Sequence, residues 1–259
     1  MGHIRLGRLP KTRRWSVVFD VLEGDSVSPD ALARATATAA QQQFAALEGD
    51  RAVNYCFWVL VRIVTAARGD DFAGELRRLG ISGTEISSGL GFIQQITQMV
   101  EKELRNRGQP TVFVRIAELS LREVLSANII EQSRSLFGTS FEDIQAACRA
   151  ISTQRRFGEV AKDFFSLFTN RSLQYLTDKE VSNYIGPEKP FASPESVLEF
   201  QEALQRYCTE TSKIVEDFAA GWFSKNNWAS NNNISEETAA AFTAYAFEKI
   251  QMELREAEV

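Results

Sequence analysis

The chain has 259 residues, a formal net charge of −5 and a sequence pI of about 5.2, with 44% hydrophobic and 24% charged residues. This composition excludes a disordered chain and a protein covered uniformly with nucleic-acid-binding charge. Three cysteines, few and widely spaced, exclude a secreted disulfide scaffold, so we expect a soluble, cytoplasmic protein that forms its core without disulfides or metals.

The first 14 residues form a basic arm without a single acid, whose cations are Arg5, Arg8, Lys11, Arg13 and Arg14. Aliphatic residues alternate with these cations. The arm could therefore dock on an acidic partner or on nucleic-acid phosphates. Equally, its aliphatic residues could pack on the chain's own core while the cations face water. The only histidine, His3, lies in this arm and is poorly placed for catalysis.

The first half of the chain predicts a series of helices. Periodicity favours a helix over residues 12–22, and Ser28 with Pro29 starts a second helix that runs to residue 47. Asp50 should cap the apolar stretch at residues 53–67, which is too short for a membrane span and predicts a buried core helix. A short helix follows over residues 71–79. A capping box at residues 82–85 should then open a long helix to residue 104.

The second half begins with a helix over residues 117–136, and we extend it back through the β-like stretch at 111–116. A capping box formed by Thr139 and Glu142 should open a helix over 141–151, followed by one over 153–175. Residues 177–180 should cap a further short helix to 184. After a loop at 186–192, one regular helix of about seven turns starts at residue 193 and stops in the polar run 225–233. Ser235 then starts the last helix, which is acidic and exposed on one side.

These elements predict an all-α fold, an irregular bundle of about ten helices with an extended N-terminal arm. We expect the arm at residues 1–14, a helical core at 15–185 and a C-terminal two-helix unit at 193–259 that packs on the core as one continuous domain. The 18 Phe residues should lie mostly in the core, and the three cysteines should behave there as small hydrophobic side chains.

The sequence contains no pattern for His- or Cys-dependent catalysis, for a metal site or for a phosphate-binding loop. Gly89 and Gly91 lack the Lys-Ser/Thr of a P-loop, and we interpret them as a close approach between helices. We therefore predict no catalytic residue, no metal and no cofactor. An enzyme that uses only carboxylate, Lys, Ser or Tyr chemistry is the third of our hypotheses for function.

A second basic cluster is found in the centre of the chain, at Arg149, Arg155, Arg156 and Lys162. Phe164, Phe165 and Phe168 follow it, and arginines interleaved with aromatic rings can hold single-stranded nucleic acid. At helical spacing these rings also form an apolar stripe, so core packing is the favoured interpretation.

Trp222 and Trp228 lie near the end of the long helix, beside an Asn-rich run. Tryptophan is enriched in protein-recognition surfaces, so both are candidate partner-binding residues. Alternatively, Trp222 continues the core stripe and Trp228 covers the end of the helix.

The start HIRLGRLP and the segment FAAGWFSKNNW together resemble uncharacterised helical proteins of bacterial multi-gene systems. That resemblance implies no activity.

The leading hypothesis is a non-enzymatic helical subunit or adaptor of a bacterial protein assembly. It would bind another protein through its basic N-terminal end, its acidic C-terminal end and the tryptophan segment. The competing hypothesis is a nucleic-acid-binding accessory protein that uses the basic arm and the region from Arg149 to Arg171. Self-association is a further option, because the oppositely charged ends could pair between two copies.

Overall fold

A computed structural model describes residues 13–22, 28–40, 49–82, 86, 88–108, 112–130, 140–186, 189 and 191–256. Over these residues the fold is all-α, as predicted. The part of the chain that the structure describes has no β-strand, and a parallel bridge between Ile185 and Phe191 is its nearest approach to one. The predicted arm falls mostly outside the described residues.

Eleven α-helices are present in the described ranges, close to the ten expected. They are α1 (Arg13–Leu22), α2 (Pro29–Ala39), α3 (Arg51–Ala66), α4 (Phe72–Arg78), α5 (Gly89–Arg107), α6 (Val112–Leu125), α7 (Phe141–Ile151), α8 (Gln154–Val181), α9 (Pro194–Thr211), α10 (Lys213–Ala229) and α11 (Glu236–Glu256). A π-helical turn (Ser126–Ile130) continues α6, and a 3₁₀ turn (Ser182–Tyr184) follows α8.

Several helix starts are capped by the side chains that the sequence indicated. The Ser28 hydroxyl accepts from the backbone N–H of Ala31, at the start of α2. The Asp50 carboxylate accepts from the N–H of Ala52 at 2.8 Å, and the Ser235 hydroxyl performs the same function for α11. Each cap satisfies a backbone donor that has no partner within the helix. The β-like stretch is helical from Val112 onwards, as predicted.

Two predicted start positions are wrong by a few residues. The long helix α5 does not begin at the predicted capping box of residues 82–85. Instead, Ser88 is its N-cap and accepts from the N–H of Gly91 at 3.0 Å. Gly91 thus lies in the first turn, and a Cβ built there would contact only the Ser88 hydroxyl rather than a second helix. Likewise, Ser140 and Asp143 form the capping box of α7, one residue beyond the predicted pair.

Two predicted boundaries in the second half are also wrong. No helix starts at Thr177, because α8 continues unbroken to Val181 and the Thr177 hydroxyl donates to the carbonyl of Leu173 within the same helix. Conversely, the predicted seven-turn helix is divided into α9 and α10 at Ser212. The segment expected to contain two C-terminal helices therefore contains three. These helices pack on α2, α3 and α8.

An aromatic cluster occupies the centre of the core. Phe57 of α3 has its ring centroid 5.1 Å from that of Phe242 on α11 and 5.2 Å from that of Phe165 on α8. The three cysteines are free and completely buried, and burial raises the pKa of each thiol. As predicted, most of the Phe rings lie in the core. They join α3, α8, α10 and α11 into one packed unit.

The helices α8 and α10 share the most extensive contact in the fold. Gly158 makes this close approach possible, since a Cβ built on it would lie only 2.6 Å from the carbonyl oxygen of Glu216. No helix of the described residues is long and apolar enough to span a membrane.

Candidate functional site

The α10–α11 turn (residues 230–235) is a tight, well-bonded connection. Asn231 and Asn232 both have positive φ, at 51° and 63°, in the left-handed region that asparagine tolerates better than most residues. The N–H of Asn232 donates to the carbonyl of Asn227 at 2.9 Å, and the Asn227 amide donates to the Asn232 side chain at 2.8 Å. The helix was predicted to stop in the polar run 225–233, and α10 does end there, at Ala229, before the chain turns sharply.

A buried arginine fixes this turn to the core. Arg62 of α3 has its guanidinium 2.6 Å from Asn233 Oδ1 and 3.3 Å from the carbonyl oxygen of Asn232. The same guanidinium pairs with Glu75 of α4 at 2.8 Å, which supplies the carboxylate that a nearly buried cation requires. Trp58, one turn earlier on α3, donates from its indole N–H to the carbonyl of Ile234 at 3.1 Å. The end of α10 is therefore held rigidly.

The two candidate tryptophans occupy opposite environments on α10. Trp222 is partly buried, with its ring centroid 4.4 Å from that of Phe242, in agreement with the core interpretation. Trp228 is 87% exposed, so it does not cover the end of its helix. An indole is costly to leave in water, and a rigid helix that projects one outward provides a preorganised contact for another molecule.

Four exposed residues form one outward side of α10, here called the Trp228 face. Ser224, Lys225 and Trp228 lie three, four and seven residues after Gly221, a spacing that places all four on the same side of the helix. A Cβ built on Gly221 would meet no atom within 4 Å. The fold does not require glycine there, yet glycine weakens a helix by about 1 kcal/mol relative to alanine.

The last helix, α11, also has exposed aromatic and apolar side chains. Phe218 packs edge-on against Tyr245, with ring centroids 4.9 Å apart, and Lys249 lies over the same tyrosine ring. Tyr245 and Met252 are both exposed on α11. Exposed apolar side chains thus occur on both of the last two helices.

The charged ends are only partly described. Arg5, Arg8 and Lys11 lie outside the described residues. Arg13 and Arg14 begin α1, but their side chains also lie outside them. At the start of α11, Glu236 pairs with Arg107 of α5, whose guanidinium also lies 4.2 Å from the centroid of the Tyr55 ring. Part of the acidic end is therefore engaged within the chain.

The second basic cluster is paired within the chain. Arg149 donates to the carbonyl of Ala67, just after α3, at 2.8 Å. Arg155 and Arg156 both pair with Glu159, and Lys162 lies 3.1 Å from the carboxylate of Glu216. Arg171, at the end of this region, pairs with Glu123. The aromatic rings between these cations, Phe157, Phe164, Phe165 and Phe168, are completely buried, so core packing is the correct interpretation of that stripe.

The sequence did not point to Arg62, because its partners lie 13 and 170 or more residues away along the chain. Gly221 could have been noticed as a glycine inside a regular helical pattern.

Among the described residues, no cluster of three or more His, Cys, Asp or Glu side chains is arranged to hold a metal ion. Comparison of the chain with protein-family models, curated proteins and solved structures finds no match.

Proposed function

We propose that this chain is a non-enzymatic adaptor or subunit of a bacterial protein assembly and binds a partner protein through the Trp228 face of α10. The observation that carries this proposal is the indole of Trp228, 87% exposed on a helix end that Arg62 and Trp58 fix to the core. Tryptophan is among the residues whose burial contributes most to protein–protein affinity. A tryptophan side chain has only two torsions to order, so it provides a large contact area at a small cost in conformational entropy.

The shape of the Trp228 face supports a protein ligand. The small residues Gly221 and Ser224 leave open space on the same side of α10 as the projecting indole, and Lys225 adds one positive charge there. A partner side chain could approach the backbone at Gly221 while Trp228 enters a pocket on the partner. Such paired contacts are typical of interface hot spots. The glycine, which the fold itself does not need, thus has a role in the interface.

The charged ends have a secondary role in this proposal. The cations of the basic arm, Arg5, Arg8, Lys11, Arg13 and Arg14, would attract an acidic partner and accelerate encounter. They would set the rate of association and its salt dependence, whereas the Trp228 face would set the rate of dissociation.

The nucleic-acid alternative receives less support from the geometry. The cations of the second basic cluster are paired with carboxylates or a carbonyl of the chain itself, and the rings between them are buried. Phosphate binding there would have to displace those partners. The basic arm is the remaining candidate for phosphate contact, and salt-dependent binding of DNA or RNA by the full chain would identify it.

The test uses the immobilised full chain in extracts of the native host, with three proteins compared: wild type, Trp228→Ala and Leu90→Ala. Leu90 is a matched control because it is a large apolar side chain that is 67% exposed on a different helix, in the first turn of α5. We expect a protein that is retained by wild type and by Leu90→Ala but lost from Trp228→Ala. Measured with the purified partner, affinity should fall about 30-fold, the effect of removing a hot spot of about 2 kcal/mol.

Circular dichroism and thermal unfolding establish that each variant is folded. Equal retention by Trp228→Ala and wild type would refute the assignment of the Trp228 face. Retention of nothing but nuclease-sensitive material would instead favour nucleic acid. A chain lacking residues 1–14 should show slower association and a weaker salt dependence while it keeps most of its affinity.

A further inference from the structure

A polar cleft of about 170 Å³ lies between α6, α8 and α9, away from the Trp228 face. Its lining includes three apolar residues, Val124, Ala127 and Leu167. It also includes amides, hydroxyls and two carboxylates, among them Asp163, Ser166 and Asn170 of α8. The lining combines apolar and polar groups, so the cleft suits an amphipathic small molecule.

The π-helical turn (Ser126–Ile130) forms one edge of this cleft. Asn128, within the turn, donates from its amide to the carbonyl of Val124 at 2.9 Å and accepts from Arg156 of α8 at 3.1 Å. The side-chain amide thus satisfies a carbonyl of the preceding helix. Turns of this kind are frequent at functional sites, where they widen the helix.

The polar lining of the cleft includes hydrogen-bond acceptors that have no donor among the described residues. Asn170 is buried, with 7% of its surface exposed, and its Oδ1 has no hydrogen-bond partner. The Thr209 hydroxyl donates to the carbonyl of Gln205, so the Ser166 hydroxyl must be the donor in its 3.1 Å contact with Thr209. The lone pairs of Ser166 therefore remain available. A buried carbonyl oxygen without a donor is destabilising, and a ligand N–H would correct it.

The two carboxylates of the cleft differ in how they are neutralised. Glu123 is paired with Arg171. Asp163 has only Lys162 at 3.7 Å, and that ammonium lies closer to Glu216, at 3.1 Å. Partial burial raises the pKa of Asp163, and the nearby carboxylates of Glu216 and Glu159 raise it further against the opposing effect of Lys162. A cation bound beside Asp163 would stabilise the charged carboxylate and so lower its pKa again.

We propose that the polar cleft binds the ammonium group of a small primary alkylamine, with its alkyl chain against Val124, Ala127 and Leu167. The ammonium has three N–H donors, and Asp163, Ser166 and Asn170 supply three acceptors. A divalent metal ion is a poorer match, because Glu123 is already paired with Arg171, which leaves Asp163 as the single available carboxylate, and the apolar residues would offer the ion no ligand. An anion would be repelled by the carboxylates.

The test measures binding to the full chain by chemical-shift titration with n-butylammonium, and with n-butanol and butyrate as probes of the same length. We expect saturable binding of n-butylammonium at one site, with shifts confined to the cleft, and no saturable binding of the other two. Asp163→Asn should weaken binding about tenfold or more, because a charge-assisted hydrogen bond is lost. Asp217→Asn, an exposed acid on α10, is the matched control and should bind like wild type.

A second variant keeps the test decisive if Asp163→Asn is misfolded. Ala127 is exposed at the edge of the cleft, so Ala127→Phe should obstruct entry without disturbing the core. Ala127→Phe should therefore abolish the saturable binding of n-butylammonium. Absence of saturable n-butylammonium binding to wild type would overturn the proposal, and so would equal binding by n-butanol or by Asp163→Asn.

Discussion

Gly158→Ala tests how closely α8 and α10 pack. The new Cβ would lie 2.6 Å from the carbonyl oxygen of Glu216 and 3.3 Å from Cβ of Ala220. A backbone carbonyl cannot rotate away, so α10 must shift, and overpacking of this kind destabilises by up to about 3 kcal/mol. Alanine regains about 1 kcal/mol of helix propensity. We therefore expect the free energy of unfolding to fall by about 2 kcal/mol.

Gly221→Ala is the matched substitution on the partner helix. Nothing lies within 4 Å of the new Cβ, so only the propensity gain remains, and stability should rise by up to about 1 kcal/mol. The same chemical change should thus have opposite signs at two glycines in contacting helices. If a partner packs against Gly221 of the Trp228 face, Gly221→Ala should also weaken partner binding while it stabilises the free chain.

The assay is urea unfolding followed by far-UV circular dichroism, with thermal unfolding as a second measure. A loss of about 2 kcal/mol corresponds to a Tm lower by roughly 4–8 °C for a chain of this size. Gly158→Ala with wild-type stability would show that the two helices are farther apart than described. Destabilisation by Gly221→Ala would show that its surroundings are not open.

Arg62→Met should lower the free energy of unfolding by about 2–3 kcal/mol, because charged hydrogen bonds to Glu75 and the α10–α11 turn are lost; unchanged urea unfolding would contradict this. The three thiols should not react with Ellman's reagent in the native chain at mildly alkaline pH and should all react in guanidinium chloride, since burial raises the pKa of each. Fast reaction of any thiol in the native chain would disprove that burial. Asp143→Ala should destabilise at neutral pH and progressively less in acid. Hydrogen bonds from Ser140 hold the pKa of Asp143 below its usual range, and a contribution that is present above the unfolded-state pKa is lost as the pH falls through the folded-state pKa. A difference in stability that stays constant from neutral to acidic pH would contradict this reasoning.

The sequence predicted the helical class because caps and periodicity are local signals. Ser28, Asp50 and Ser235 each cap the helix that they were expected to cap, since their acceptor oxygens reach N–H groups only two or three residues away. Local signals become ambiguous where several polar residues compete. The same chemistry that suits Thr139 also suits Ser140, so residue type alone does not choose between them.

The wrong boundaries have a related cause. A threonine hydroxyl can cap a helix or donate to a carbonyl within it, and Thr177 makes the second kind of contact. At Ser212 the apolar periodicity continues across a real break, because α9 and α10 both face α8 with the same spacing of core residues. Periodicity reports which face is buried and not whether the axis is continuous.

The sequence identified a residue of one candidate site, the Trp228 face, and none of the other, the polar cleft. Trp228 was identified from its residue type, but neither its exposure nor the contact of Arg62 with the following turn could be predicted, because that contact joins distant parts of the chain. The polar cleft was not predicted at all. Asp163 and Asn170 occupy ordinary positions in a helical pattern, and only the packing of α6 and α9 beside α8 makes them neighbours of one cavity.

The placement of two tryptophans six residues apart on α10 gives the chain two different fluorescent environments on one helix. Trp222 lies against Phe242, so its emission should depend on the packing of the core. Trp228 faces water, so it should emit at longer wavelength and be quenched readily by acrylamide. A partner bound to the Trp228 face would protect the Trp228 indole from acrylamide and leave the emission of Trp222 unchanged. Trp15 is buried and Trp58 is partly buried, so the emission that acrylamide quenches readily reports on Trp228 and distinguishes an event at the surface from a change inside the fold.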